Sequence, residues 1–179
     1  MALNTVFAGL LALAYFCEPV ASLVYIRQSK CAAACGDKST ISDDDVVCPD
    51  SSFNSTAEGL TIRDCLLCQS TGTTYVTDER SDTYNFLSNQ KFTLQTCLFQ
   101  RSGETSISSC EDSCHPLRSI LTSQWYRTNS TLPIYDYCSS TFGQYAGDCV
   151  SCLQGKKGSV ILGNFKSLRL RLYRAMSLY

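Results

Sequence analysis

Histidine is almost missing from this chain: His115 is the only one in 179 residues, alongside one tryptophan, two methionines and four prolines. A single histidine leaves most of the molecule without the commonest general base and the commonest metal ligand. His115 itself lies between Cys114 and Pro116, the setting of a surface turn, and no G-x-S-x-G elbow is present to offer it a nucleophile. Acids are missing from one end. All sixteen Asp and Glu fall at or before Asp148, and Lys156, Lys157, Lys166, Arg169, Arg171 and Arg174 then follow with no acid among them. A net charge of −1 and an acidic bulk argue against nucleic acid as a partner. After Phe16 no apolar run approaches the roughly 20 residues that span a bilayer, so no transmembrane segment is expected in the mature chain.

What the chain does have is cysteine, twelve in all. The apolar run Val6 to Phe16, followed by Glu18-Pro19 and the small residues Val20-Ala21-Ser22, has the length and flanks of a secretory leader. Its removal after Ala21 or Ser22 would take Cys17 with it. Two acceptor sequons, Asn54-Ser55-Thr56 and Asn129-Ser130-Thr131, point the same way. A secreted or cell-surface location makes disulfides the expected fate of the other eleven thiols.

Those eleven fall into one pattern written twice. The first copy reads Cys31-x3-Cys35, Cys48, Asp64-Cys65-x2-Cys68 and Cys97. The second reads Cys110-x3-Cys114, Cys138 and Asp148-Cys149-x2-Cys152, then stops one cysteine short. The organisation expected is a signal peptide over 1–22, repeat 1 over 23–100, a linker over 101–109 and repeat 2 over 110–179, altered or truncated after about residue 165. The fold class is mostly α, one or two small disulfide-rich helical domains. Cys31 to Cys35 and Thr61 to Gln69 read as short helices, the latter capped by Thr61. A longer helix begins at Ser81 or Asp82 with Tyr84, Leu87, Lys91, Leu94 and Leu98 in one stripe, and another spans Tyr135 to Leu153. The tail from Gly155 fits a helix through Ile161, Phe165, Leu168 and Leu172, although Leu168 to Leu172 also alternates as a strand would.

Thiols at i and i+4 facing thiols at i and i+3 suit two bridges between short antiparallel helices. The pairing expected is Cys31–Cys68, Cys35–Cys65 and Cys48–Cys97, then Cys110–Cys152 and Cys114–Cys149, one choice among the fifteen that six cysteines allow. Cys138 is left over. Counting forward from Cys152 places its partner just beyond Tyr179, and aligning Asn85-Phe86 on Asn164-Phe165 places it at Met176. A misread end of the chain, a dimer bridged through Cys138, and a repeat that has lost a staple all account for this.

Other chemistries find little footing. The pairs Cys65/Cys68 and Cys149/Cys152 have the spacing of zinc half-sites or redox dithiols, but secretion opposes zinc and no βαβ pattern supports a dithiol enzyme. Asp64 and Asp148 beside these pairs would raise a thiol pKa rather than lower it. Asp43-Asp44-Asp45 lacks the spaced ligands of a calcium loop. No two acids stand out as a glycosidase pair. Catalytic, cofactor and metal residues are therefore none. The aromatic set Trp125, Tyr126, Tyr135, Tyr137, Phe142 and Tyr145 suits core packing first and sugar stacking second. The basic tail has two readings, a surface for anionic membranes or partners and an end with no selected role.

The C-x3-C start of Cys110/Cys114, the segment Asp148-Cys149-Val150-Ser151-Cys152-Leu153 and the run Ile161-Leu162-Gly163-Asn164-Phe165 resemble those of secreted cysteine-rich proteins of filamentous ascomycete fungi. These are small surface or effector-like proteins of unknown activity, in which the last helix ends on a final cysteine. That cysteine is missing here. The resemblance implies a small secreted surface protein and supplies no catalytic residues. The reading adopted is a non-enzymatic protein that binds an extracellular protein, glycan or lipid. The rival readings are a small extracellular enzyme directed at glycans and a helical lipid carrier.

Overall fold

A computed structural model of the chain describes residues 23–36, 46–77, 80–101, 109–122 and 140–164. Helix accounts for 68% of these residues, so the expected mostly-α class holds. Disulfides and helical periodicity together explain the arrangement. The chain enters through an irregular strap at 23–30 and turns into helix α1, Ala32–Cys35. Helix α2, Asp50–Phe53, leads into α3, Ala57–Gln69, and a hairpin of β1, Tyr75–Thr77, and β2, Arg80–Ser81, leads into α4, Asp82–Gln95. The second half repeats the order with α5, Glu111–Cys114, a 3-10 turn at His115–Leu117, α6, Arg118–Leu121, and α7, Ser140–Gln154. The chain is helical again over 160–164.

Each half is closed by the same clamp. Cys31 joins Cys68 and Cys35 joins Cys65, tying α1 across α3. Cys110 joins Cys152 and Cys114 joins Cys149, tying α5 across α7. In both, the outer thiol of the C-x3-C pair meets the outer thiol of the C-x2-C pair, which requires the two helices to run antiparallel. A fifth bridge, Cys48–Cys97, fastens the segment before α2 to the end of α4. These are the partners expected from the spacing, and all five bridges lie within one chain. Chain-entropy arithmetic gives about 4 kcal/mol for each such closure taken alone, and loops of 30 and 49 residues differ by only about 0.4 kcal/mol. Loop length therefore does not rank the staples; what each holds in place does.

One expectation about a helix start needs correction. Helix α3 begins before Thr61: the Thr56 hydroxyl accepts the Gly59 N–H at 3.0 Å and caps the helix, while Thr61 Oγ1 donates to the Ala57 carbonyl. A Cβ at Gly59 would collide with the Ser52 carbonyl oxygen where α2 packs on α3. Helix α7 begins, among the described residues, at Ser140, and the first part of the expected Tyr135 to Leu153 helix lies outside them. Its buried residues Ala146, Cys149, Val150 and Leu153 keep the spacing of one helical face. Of the tail, 155–159 forms a turn, 160–164 is helical and 165–179 lies outside the described residues.

The two halves share one core. Leu23, Ile62, Phe86 and Phe92 from the first pack in a single cluster with Leu117, Leu121, Leu153 and Leu162 from the second. Helix α4 lies at its centre, with eleven of fourteen residues buried, so it is enclosed on every side rather than on one stripe. Helix α3, strand β2 and α6 all pack against it. A π-helical turn, Thr96–Gln100, continues it, closed by the Arg101 N–H donating to the Thr96 carbonyl at 2.9 Å. This turn carries Cys97 to its bridge, and the Arg101 guanidinium donates to the Val46 carbonyl at 2.6 Å beside it.

Candidate functional site

Enclosing α4 has a chemical consequence, because much of the helix is polar. Asp82, Asn85, Ser88, Asn89, Gln90, Lys91 and Thr93 are all buried. Such groups cost free energy in a core unless bonded, so their partners describe what the helix does.

On one face α4 holds the strap. Asn89 reads both peptide groups of Val24: Oδ1 accepts its N–H at 2.6 Å and Nδ2 donates to its carbonyl at 2.8 Å. Gln69 of α3 donates to the same carbonyl at 2.9 Å, and its Oε1 accepts from Asn89 Nδ2 at 2.9 Å. Leu23 and Ile26 are buried on either side of this contact. The strap thus lacks a backbone ladder of its own and is held by side-chain amides and two apolar anchors. A turn further on, Asp82 performs the same task for the next segment. Its Oδ1 accepts the Ser29 hydroxyl at 2.7 Å and its Oδ2 the Thr74 N–H at 2.9 Å, while the Asp82 N–H donates to the Thr74 carbonyl at 2.9 Å. The Cys31 N–H donates to Ser29 Oγ at 3.0 Å, which links this node to the disulfide clamp.

On the opposite face sits Lys91. It is two residues on from Asn89 and so about 200° around the helix. The residue is 1% exposed, and burial pushes its amine down to about 7 from an ordinary 10.5. An amine that titrates near neutrality in the centre of a helix is a reactive group by type, but here it lies in the packed core and no nucleophile's task is visible for it. The expected stripe Tyr84, Leu87, Lys91, Leu94 and Leu98 marks this face, and Leu87, Leu94 and Leu98 are buried with the lysine.

A third group of contacts crosses between the halves. Asp50 at the start of α2 accepts the N–H groups of Val160 at 3.0 Å and Ile161 at 3.0 Å, one on each carboxylate oxygen. Its own N–H donates to the Gly158 carbonyl at 3.1 Å. Gly158 has φ +91°, a conformation open to glycine, and the turn it makes brings the start of 160–164 onto Asp50. Asp50 thus caps the free N–H groups at the start of a helix 110 residues downstream. The Arg118 guanidinium over the Phe99 ring, 5.9 Å from its centre, adds a second bridge between the halves.

The residues singled out in the sequence fare differently. Both C-x2-C pairs are spent in disulfides to the C-x3-C pairs, so in this oxidation state neither presents a thiolate to zinc or to a redox partner. Among the described residues, no three His, Cys, Asp or Glu side chains gather as a metal ion would need. His115 is exposed on its 3-10 turn. Asn54 is exposed at the end of α2. Tyr145 is half-buried against the shared core. Cys138, Asn129, Asp43-Asp44-Asp45, Trp125, Tyr126, Tyr135 and Tyr137 lie outside the described residues. The structural roles of Asn89, Gln69, Asp82 and Asp50 were not anticipated. For Asn89 and Asp82 the one sequence signal was a run of polar residues inside a helix whose apolar stripe was already plain; Gln69 on α3 and Asp50 on α2 left none.

The fold and these contacts define a small, mostly helical protein stapled by disulfides around one core. None of its described helices is long and apolar enough to cross a membrane. Compared with protein-family models, with curated proteins and with solved structures, the chain finds no match.

Proposed function

We propose that this protein is secreted, N-glycosylated at Asn54 and Asn129, and acts by binding rather than by catalysis, at a cell surface or in the extracellular space. The observation that carries the reading is the set of five intramolecular disulfides built into a single core. Bridges of this density form and persist in oxidising compartments and are rare in reducing ones. The leader-like run Val6 to Phe16 and the sequons at Asn54 and Asn129 support the same route. Asn89 and Asp82 of α4 are engaged in holding chain segments together, which suits a rigid scaffold presenting a surface. Its partner is an extracellular protein, glycan or lipid.

Expression of the full chain in a eukaryotic secretory host tests this. The expected product is found in the medium, lacks residues 1 to 21 or 22, resists thiol labelling at the ten bridged cysteines and shrinks on treatment with an N-glycosidase. Retention in the cytosol with reactive thiols at Cys65 and Cys68 would overturn the reading.

A further inference from the structure

The sequon Asn54-Ser55-Thr56 forms the turn between α2 and α3, and its polar groups are all in use. Asn54 Nδ2 donates to the Asp50 carbonyl at 3.2 Å, and Asn54 Oδ1 accepts from Arg63 at 3.3 Å. The Thr56 hydroxyl donates to the Ser52 carbonyl at 3.0 Å while it caps α3 through the Gly59 N–H. That same carbonyl also accepts the N–H groups of Ser55 at 3.3 Å and Thr56 at 3.0 Å. Ser55 Oγ donates to the Ser51 carbonyl at 2.7 Å. Gly59 packs against the Ser52 carbonyl so tightly that the turn has no slack. The bridges Cys48–Cys97 and Cys35–Cys65 pin the chain on either side.

An acceptor sequon is defined by its third-position hydroxyl as well as its asparagine, so the transferase must reach both groups at once. In the transfer, Asn54 Nδ2 bonds to the anomeric carbon of a lipid-diphosphate-linked oligosaccharide. The nitrogen loses a proton and the lipid diphosphate leaves. The folded turn withholds the hydroxyl and ties up the amide, although the asparagine is exposed. We propose that Asn54 accepts its glycan only before the α2–α3 turn closes, so that occupancy at this site is set by a race between glycan transfer and disulfide-driven folding of the first half. The inference rests on the reading that the chain passes through the secretory pathway. It adds that exposure in the finished fold does not make Asn54 modifiable. Once attached, the glycan extends from an exposed helix end and leaves the fold intact.

The test uses the full chain with Asn129→Gln, made without glycans, so that one added glycan reports on Asn54 alone. It is offered to microsomal oligosaccharyltransferase with its lipid-linked donor in two forms, oxidised and folded, or reduced with blocked thiols. A synthetic peptide covering 50–58 serves as acceptor control. The reduced chain and the peptide are expected to be modified at least about tenfold faster than the folded chain, whose sequon is available only in rare local openings. Equal rates for the folded and reduced chains would overturn the inference and leave the glycoprotein reading standing. Modification of the peptide alone would also overturn it. If the peptide too is refused, Asn54 is no acceptor, and the glycoprotein reading at this site falls with the inference.

Discussion

In the first half of the molecule, α4 starts on a cap from its own neighbourhood, the Ser81 hydroxyl accepting the Tyr84 N–H at 3.1 Å. In the second half, the helix at 160–164 starts on Asp50, which belongs to the first. The segments that lead into these helices differ as well. Between α3 and α4 runs a hairpin pairing Tyr75 with Ser81 and Thr77 with Arg80, whereas between α7 and residue 160 there is only a glycine turn ending at Gly158. Both halves carry the same two-bridge clamp, but the first adds the strap, the hairpin and Cys48–Cys97. The lesson is one of dependence. The first half supplies the central helix and a cap for the second, so a repeated cysteine pattern has produced one shared core with unequal contributors.

The strongest way to break this comparison is to remove the same staple from each half. Replacing Cys35 and Cys65 together by alanine should cost about 3 kcal/mol, less than a lone closure because Cys31–Cys68 still closes the same loop. Replacing Cys114 and Cys149 inside Cys110–Cys152 should cost a similar amount if the halves unfold together. Denaturant unfolding followed by far-UV circular dichroism and by Trp125 fluorescence checks this. Two separated transitions in either variant would show that the halves are independent.

Lys91→Met comes next and acts in the opposite direction. The native amine titrates at about 7 and the unfolded one near 10.5, so between these values the unfolded chain holds a proton that the native chain lacks. Stability should therefore rise as pH climbs from about 7 to about 10.5, and lie at a constant lower level below pH 7. Methionine removes that slope and should stabilise the protein by about 2–4 kcal/mol at pH 6, less whatever polar contact the amine makes. Urea midpoints of both proteins from pH 6 to pH 10 would reveal a flat difference if the amine were normally solvated.

Asn89→Ala should destabilise by about 2–3 kcal/mol, because it strands the Val24 N–H and the Gln69 amide in a buried site. Amide exchange at Val24 should accelerate ahead of exchange in α7, placing the damage in the first half. The smallest effect sharpens the dependence between halves. Asp50→Ala should cost about 1 kcal/mol, the usual worth of an N-cap, yet speed exchange at Val160 and Ile161 rather than only in α2. Unchanged exchange at those two amides would remove Asp50 as the link.

Several of these features were readable before any coordinates. The C-x3-C and C-x2-C spacings place thiols on one helical face through the geometry of a single turn, so the clamp of Cys31, Cys35, Cys65 and Cys68 follows from local structure. The apolar stripe of α4 was visible for the same reason, and Ser81 was among its expected caps. The hairpin at Tyr75–Thr77 was not foreseen, since three exposed residues and a short return strand carry no alternation long enough to read. Thr56 was overlooked as a cap because Thr61 offers the same hydroxyl five residues later, and only the packing of α2 on α3 places the start earlier.

By itself, then, the sequence determined the disulfide clamps, the helical class and the positions of most helices, because each depends on residues within a few turns of one another. The tertiary structure alone decided that the two copies share a core, that a largely polar helix lies at its centre, and that Asp50 caps a helix 110 residues away. Those outcomes depend on which buried donor meets which acceptor. Partners such as Asn89 and Val24, 65 residues apart, leave no periodic trace along the chain.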